Sequence, residues 1–141
     1  MGGDESWFLQ LMGSPQAMWG RDRVSHLRFR GLQGLKNLET LDLNQTQVDD
    51  LGLQYIGRLK SLKTLSISSH VLSGAGESHL AELHNLEDLY LDGSNLKVLA
   101  DWRELAKLKS LTSLSLPKSL EGDENIQFLQ DKLEETYFSF Y

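Results

Sequence analysis

Apolar residues return along this chain in a fixed figure. LETLDL begins at Leu38, LKTLSI at Leu62, LEDLYL at Leu86 and LTSLSL at Leu111, spaced 24, 24 and 25 residues apart. A period in the range of about 20–50 residues marks a stack of repeated units, each burying its apolar face against its neighbours. In an extended strand successive side chains point to opposite faces. The alternation therefore turns Leu41 and Leu43, Leu65 and Ile67, Leu89 and Leu91, and Leu114 and Leu116 inward, and the residues between them outward.

Ahead of the later blocks, apolar residues fall three apart: Ile56, Leu59 and Leu62, then Leu80, Leu83 and Leu86, then Leu105, Leu108 and Leu111. That spacing predicts a short helix leaning on the strands. Asp49 or Asp50, Ser73 and Asp101 stand where an N-cap accepts orphan backbone N–H groups.

Two flanking blocks read as degenerate copies. At the front Val24, Leu27 and Phe29 imitate the strand, with too few residues before Leu41 for a full helix. At the back Leu133, Thr136, Phe138 and Phe140 repeat the alternation, after a helix beginning near Asp123 and carrying Ile126 and Leu129. The expectation is six strands, paired in parallel through crossovers.

These blocks resemble the leucine-rich repeat family, and LETLDLNQTQVDDLGLQYIGRLKSL is similar to its bacterial form L-x-L-x-x-T-x-V-x-D-x-G-L. The resemblance runs from about Val24 to Phe140. It implies an α/β fold: a curved leucine-rich repeat solenoid, with short parallel strands on the concave face and helices or irregular turns on the convex face. On this reading 24–141 is one repeat domain with degenerate first and last repeats, and 1–23 is an N-terminal capping segment. The apolar WFLQLM from Trp7 to Met12, with Pro15, Met18 and Trp19, suits a cap because a terminal repeat exposes its core edge. The alternative makes Trp7, Phe8, Leu11, Met18 and Trp19 a contact for another protein.

The chain departs from the family pattern in two places. Where members commonly carry an asparagine after the strand, it has Thr46, His70, Ser94 and Ser119, which still hydrogen-bond backbone. Glu77 occupies the slot filled by Leu53 and Trp102 in neighbouring repeats. Because an unpaired buried carboxylate is costly, the Gly74–Gly76 stretch is expected to bulge outward and carry Glu77 into solvent.

Composition narrows the function. A net charge of −6 and a pI near 5.1 disfavour nucleic acid or an anionic membrane as partner and suit a basic or neutral protein surface. The absence of cysteine excludes disulfides, thiolate nucleophiles and cysteine zinc sites. With no apolar run of membrane-spanning length and no secretory leader in the sequence, the compartment stays open, the cytoplasm being the simplest reading and a mature fragment the alternative. The sequon at Asn44 and the myristoylation-like Met1–Ser6 are short patterns implying opposite routes, and neither alters this.

No catalytic constellation emerges. His26, His70, His79 and His84 lack metal-ligand spacing, and Ser73–Gly76 lacks the lysine of a phosphate loop. Asp42, Asp88 and Asp92 read as a solvated acidic patch before a cation site. No cofactor, metal or catalytic residue is expected, and the chain is read as a non-enzymatic module.

The candidate site is the outward side of the strands. Arg28, Asp42, Ser66, Tyr90, Ser115 and Tyr137 are expected to form one row, flanked by rows containing Thr40, Thr64, Asp88 and Ser113, and Asn44, Ser68, Asp92 and Ser139. Partner contacts are assigned to Arg28, Asp42, Ser66, Asp88, Tyr90, Asp92, Ser115 and Tyr137. Tyr90 is either a hot spot or a ring packed on Asp88 and Asp92. The expected role is binding a protein or peptide on the concave sheet, as a monomer. The alternative is a structural or assembly element using the aromatic N-terminal segment or the C-terminal strand edge, where YFSFY either caps the sheet or pairs with another chain.

Overall fold

A computed structural model describes residues 36–44, 48–68, 76–92 and 102–141. The expected cap 1–23, the Val24–Phe29 block with Arg28, the capping residues Ser73 and Asp101, and Thr46, His70 and Ser94 lie outside these. Five strands, β1 (Thr40–Leu43), β2 (Thr64–Ile67), β3 (Asp88–Tyr90), β4 (Ser113–Leu116) and β5 (Tyr137–Phe140), form one sheet in sequence order. Each pairs with the next in parallel. The inward leucines Leu41, Leu65, Leu89 and Leu114 stand in register and are all 0% exposed.

The crossovers are helical only in part. They contain α1 (Asp50–Ile56), α2 (Glu77–Leu80), a 3-10 helix η1 (Trp102–Lys107), a short 3-10 turn η2 (Lys118–Leu120) and α3 (Glu124–Lys132). Asp49 caps α1 by accepting the Gly52 N–H at 2.8 Å. Asp123 caps α3 by accepting the Asn125 and Ile126 N–H groups at 2.9 and 3.4 Å.

The apolar residues spaced by three do not share one helical face, which corrects the sequence expectation. Each N–H donates to the carbonyl of the apolar residue before it: Leu59 to Ile56, Leu62 to Leu59, Leu83 to Leu80, Leu86 to Leu83, Leu108 to Leu105 and Leu111 to Leu108, at 2.9–3.1 Å. The result is a stair of three-residue turns, the 3-10 geometry in which residues i and i+3 eclipse, so every third side chain drops into the core. All nine of these residues are at most 3% exposed.

Polar groups just ahead of the strands bind one repeat to the next. The Glu39 carbonyl accepts from Lys63 and Thr64, that of Lys63 from Glu87 and Asp88, and that of Glu87 from Thr112 and Ser113, at 2.7–3.1 Å. Ser61 Oγ donates to Leu38 O at 2.7 Å, Asn85 Nδ2 to Lys60 O at 2.9 Å and Thr136 Oγ1 to Leu111 O at 2.6 Å. Carbonyls at the sheet entrance thus find partners one repeat away, as buried backbone groups must. Ser119, the described member of the positions expected to replace the asparagines, lies exposed in η2.

Gly76 contradicts an outward bulge at its own position. It is buried, and a Cβ built there would stand 2.7 Å from Leu53 Cδ1 and 3.1 Å from Asp50 Oδ1 of α1. Gly57 makes a similar close approach, to the backbone carbonyl of His79 in α2.

Candidate functional site

Neighbouring strands stand about 4.8 Å apart, whereas a helix with its side chains is about 10 Å wide. Stacked repeats therefore splay on the helical side, which leaves the sheet on the concave side. Among the described residues, the outward positions of the strands form two rows. One runs Thr40, Thr64, Asp88, Ser113 and Tyr137; the other runs Asp42, Ser66, Tyr90, Ser115 and Ser139.

Tyr137 therefore belongs beside Ser113, two residues from its expected place, and Ser139 stands beside Ser115. The inward pair of β5 is Phe138 and Phe140, in register with Leu114 and Leu116. Both phenylalanines are partly buried against the core.

Asp42 and Asp92 are exposed, while Ser66, Asp88 and Tyr90 are half-buried. Ser115 is only 4% exposed, and its hydroxyl lies 2.8 Å from that of Ser139. Closed in between the Tyr90 and Ser139 positions of its row, Ser115 offers a partner almost no surface, and it leaves the set of contact residues. Asp42 has a local structural task, since its carboxylate accepts the Asn44 N–H at 2.9 Å and fixes the turn leaving β1. Asp88 accepts weakly from the Thr112 hydroxyl at 3.4 Å. Among the described residues, none of Asp42, Asp88 and Asp92 is in an ion pair.

The helical side is dressed differently. Phe128 lies under both Arg103 and Lys132, with charge-to-ring distances of 5.2 and 5.7 Å, and Arg58 lies 5.4 Å from the Tyr55 ring. A cleft of about 330 Å³ is lined by Gln54, Gly57, Arg58, Lys60, His79 and Glu82. The Lys60 ammonium bridges it, donating to the carbonyls of Gly57 and Glu82 at 3.0 and 3.1 Å. A hydrogen bond from Lys107 to Glu104, with the attraction of that carboxylate, holds the Lys107 ammonium above its ordinary pKa. No group of three or more His, Asp or Glu among the described residues is placed to hold a metal ion, and no described helix is long and apolar enough to cross a membrane.

Thr40, Asp42, Thr64, Ser66, Asp88, Tyr90 and Ser113 stand at the outward strand positions that the alternation predicts. Sequence reasoning missed the closure of Ser115, which depends on the bulk of its neighbours, and the inter-repeat bonds of Ser61, Asn85 and Thr136. A polar residue one to three places ahead of a strand block was the available signal for those bonds.

Residues 36–96 match the family described as leucine rich repeat. No curated protein is similar enough to the chain to serve as a relative. Among solved structures, an internalin C2 from Listeria monocytogenes superposes with a TM-score of 0.56 at 22% identity, over 78% of this chain and 45% of that one. A second internalin of the same organism, inlF, gives 0.53 at 17% identity, over 77% of this chain and 36% of that one. At these identities the likeness concerns the fold, and this chain spans less than half the length of either internalin.

Proposed function

We propose that the concave sheet face of this chain, whose residues 36–96 match the leucine-rich repeat family, a family that generally mediates protein–protein interaction, holds a protein or peptide partner and performs no chemistry on it. The observation that carries this reading is the open row around Tyr90. A half-buried ring stands in register with a small hydroxyl side chain on each side, Ser66 and Ser115. A tyrosine held rigidly in such a setting buries much area on contact while its hydroxyl still hydrogen-bonds. Small neighbours such as Ser66 let a partner's backbone come close. Asp42, Ser66, Asp88, Tyr90, Asp92 and Tyr137 are the described contact residues of this reading, and Arg28 extends it beyond the described residues.

A second reading places association at β5, which among the described strands pairs only with β4; its first residue, Tyr137, and the residue after it, Tyr141, are 71% and 73% exposed. One experiment separates the two, using a partner isolated from the source organism. Tyr90→Ala is expected to weaken binding by about 2 kcal/mol, the scale of a central tyrosine hot spot, and Asp92→Ala by less. Both residues face outward, so their thermal unfolding should match the parent. Unchanged affinity in both variants, with a loss in Tyr137→Ala and Tyr141→Ala, would reject the concave face in favour of the edge.

A further inference from the structure

Among the described residues, the charge at the outward positions of the sheet is of one sign. Asp42 and Asp88 stand at outward positions of β1 and β3, Asp92 is exposed in the turn two residues beyond β3, and no described outward position of the five strands carries a lysine or arginine. The cation nearest in sequence, Lys63, precedes β2 and is paired with Glu39 at 3.3 Å. The chain's other described cations lie outside these outward strand positions, several of them already engaged with Glu82, Glu104, Glu121 or aromatic rings.

From this we infer that the occupant of the face is a basic, extended protein segment that sets an arginine over Tyr90 between Asp88 and Asp92. The inference rests on the concave-face reading and adds the chemistry of the partner. Along β3 alternation places Asp88 and Tyr90 on the same side, and Asp92, exposed in the turn two residues beyond Tyr90, follows them. A guanidinium is planar and weakly hydrated, so it stacks on an aromatic face while its N–H groups reach carboxylates beside it. The molecule already makes the stacking half of this contact on its helical side, between Arg58 and Tyr55. An extended segment brings every second side chain to the sheet, and the small Ser66 beside Tyr90 leaves room for its backbone. A like-charged acidic segment would meet three carboxylates with no counter-charge among the described outward positions.

The test is a titration of the full chain with a capped peptide alternating arginine and alanine. Peptides with glutamate or glutamine in place of arginine serve as comparisons, and backbone amides and the Tyr90 ring are followed by NMR. The arginine peptide is expected to shift the Tyr90 ring and to bind more weakly as salt is raised, while the glutamate peptide does not bind. D88N together with D92N should weaken binding about fivefold and Y90A about threefold, as exposed ion pairs and a cation–π contact allow. D131N with E134Q removes the same charge from α3 and the turn after it, and should leave affinity within about twofold.

Equal losses from the two acidic pairs would reduce the attraction to net charge and overturn the inference, as would failure of the arginine peptide to bind. If the glutamine or glutamate peptide shifts Tyr90 and the arginine peptide does not, the basic occupant falls and the concave-face reading stands. If the arginine peptide shifts only residues of the helical side, both fall.

Discussion

Leu89→Ala is expected to cost about 3 kcal/mol of stability, within the range for truncating a fully buried leucine. Leu89 is 0% exposed at the centre of the sheet, in register with Leu65 on one side and Leu114 on the other, both also 0% exposed. Their strands are held at fixed spacing by the ladder, so neighbours cannot move in to fill the space. The cavity term is then added to the lost transfer energy. In a stacked-repeat protein stability is roughly a sum of units and interfaces, and this one side chain serves two interfaces. Urea unfolding followed by circular dichroism should show the midpoint lowered by about 1–3 M for a typical denaturant dependence. A shift under about 0.3 M would mean that the central repeat is not packed as described.

Gly57→Ala should also destabilise, by about 2–3 kcal/mol as overpacking against backbone does, and the sign is the informative part. The Gly57 backbone, at φ −61° and ψ −11°, is ordinary right-handed helical geometry that alanine adopts readily. On backbone entropy alone the change would stabilise by about 0.4–1 kcal/mol. Here the new Cβ lands well inside van der Waals contact distance of the His79 carbonyl oxygen, and backbone cannot swing aside. Gly76→Ala meets the end of the Leu53 side chain at 2.7 Å, which has more freedom to yield, so its cost should be smaller. Thermal unfolding of the two variants checks both the sign and the order. A Gly57→Ala protein as stable as the parent would contradict the close packing of α1 on α2.

Much of this architecture was legible because the leucine alternation and the period carry it. The inward residues of β1 to β4 follow from parity alone, and burial of Leu41, Leu65, Leu89 and Leu114 agrees. The connecting segments were readable in kind but misassigned in geometry. Apolar residues recurring at +3 and again at +3 match a 3.0-residue turn, whereas an α-helix would drift away from that spacing. Ile56, Leu59 and Leu62 already held that distinction.

The misplaced Tyr137 has a similar cause. Counting 24 residues on from Ser113 reaches Tyr137, and counting the same from Ser115 reaches Ser139, which is the observed register. Taking Thr136 with Phe138 as the inward pair broke the period. The closure of Ser115 was not legible, because a serine is small wherever it stands and only the neighbouring strands decide how much of it remains open.

The central claim is that the open sheet is the working surface, and blocking it tests this most directly. Ser66 is half-buried on that face between Asp42 and Tyr90, so Ser66→Trp places a large ring where a partner must approach without touching the leucine core. The measurement is the affinity of the isolated native partner for this variant, beside Lys109→Glu on the turn ahead of β4. The account predicts at least about a tenfold loss for Ser66→Trp, the scale of a lost interface centre, and no change for Lys109→Glu. Full affinity with the ring in place would show that partners engage the chain elsewhere.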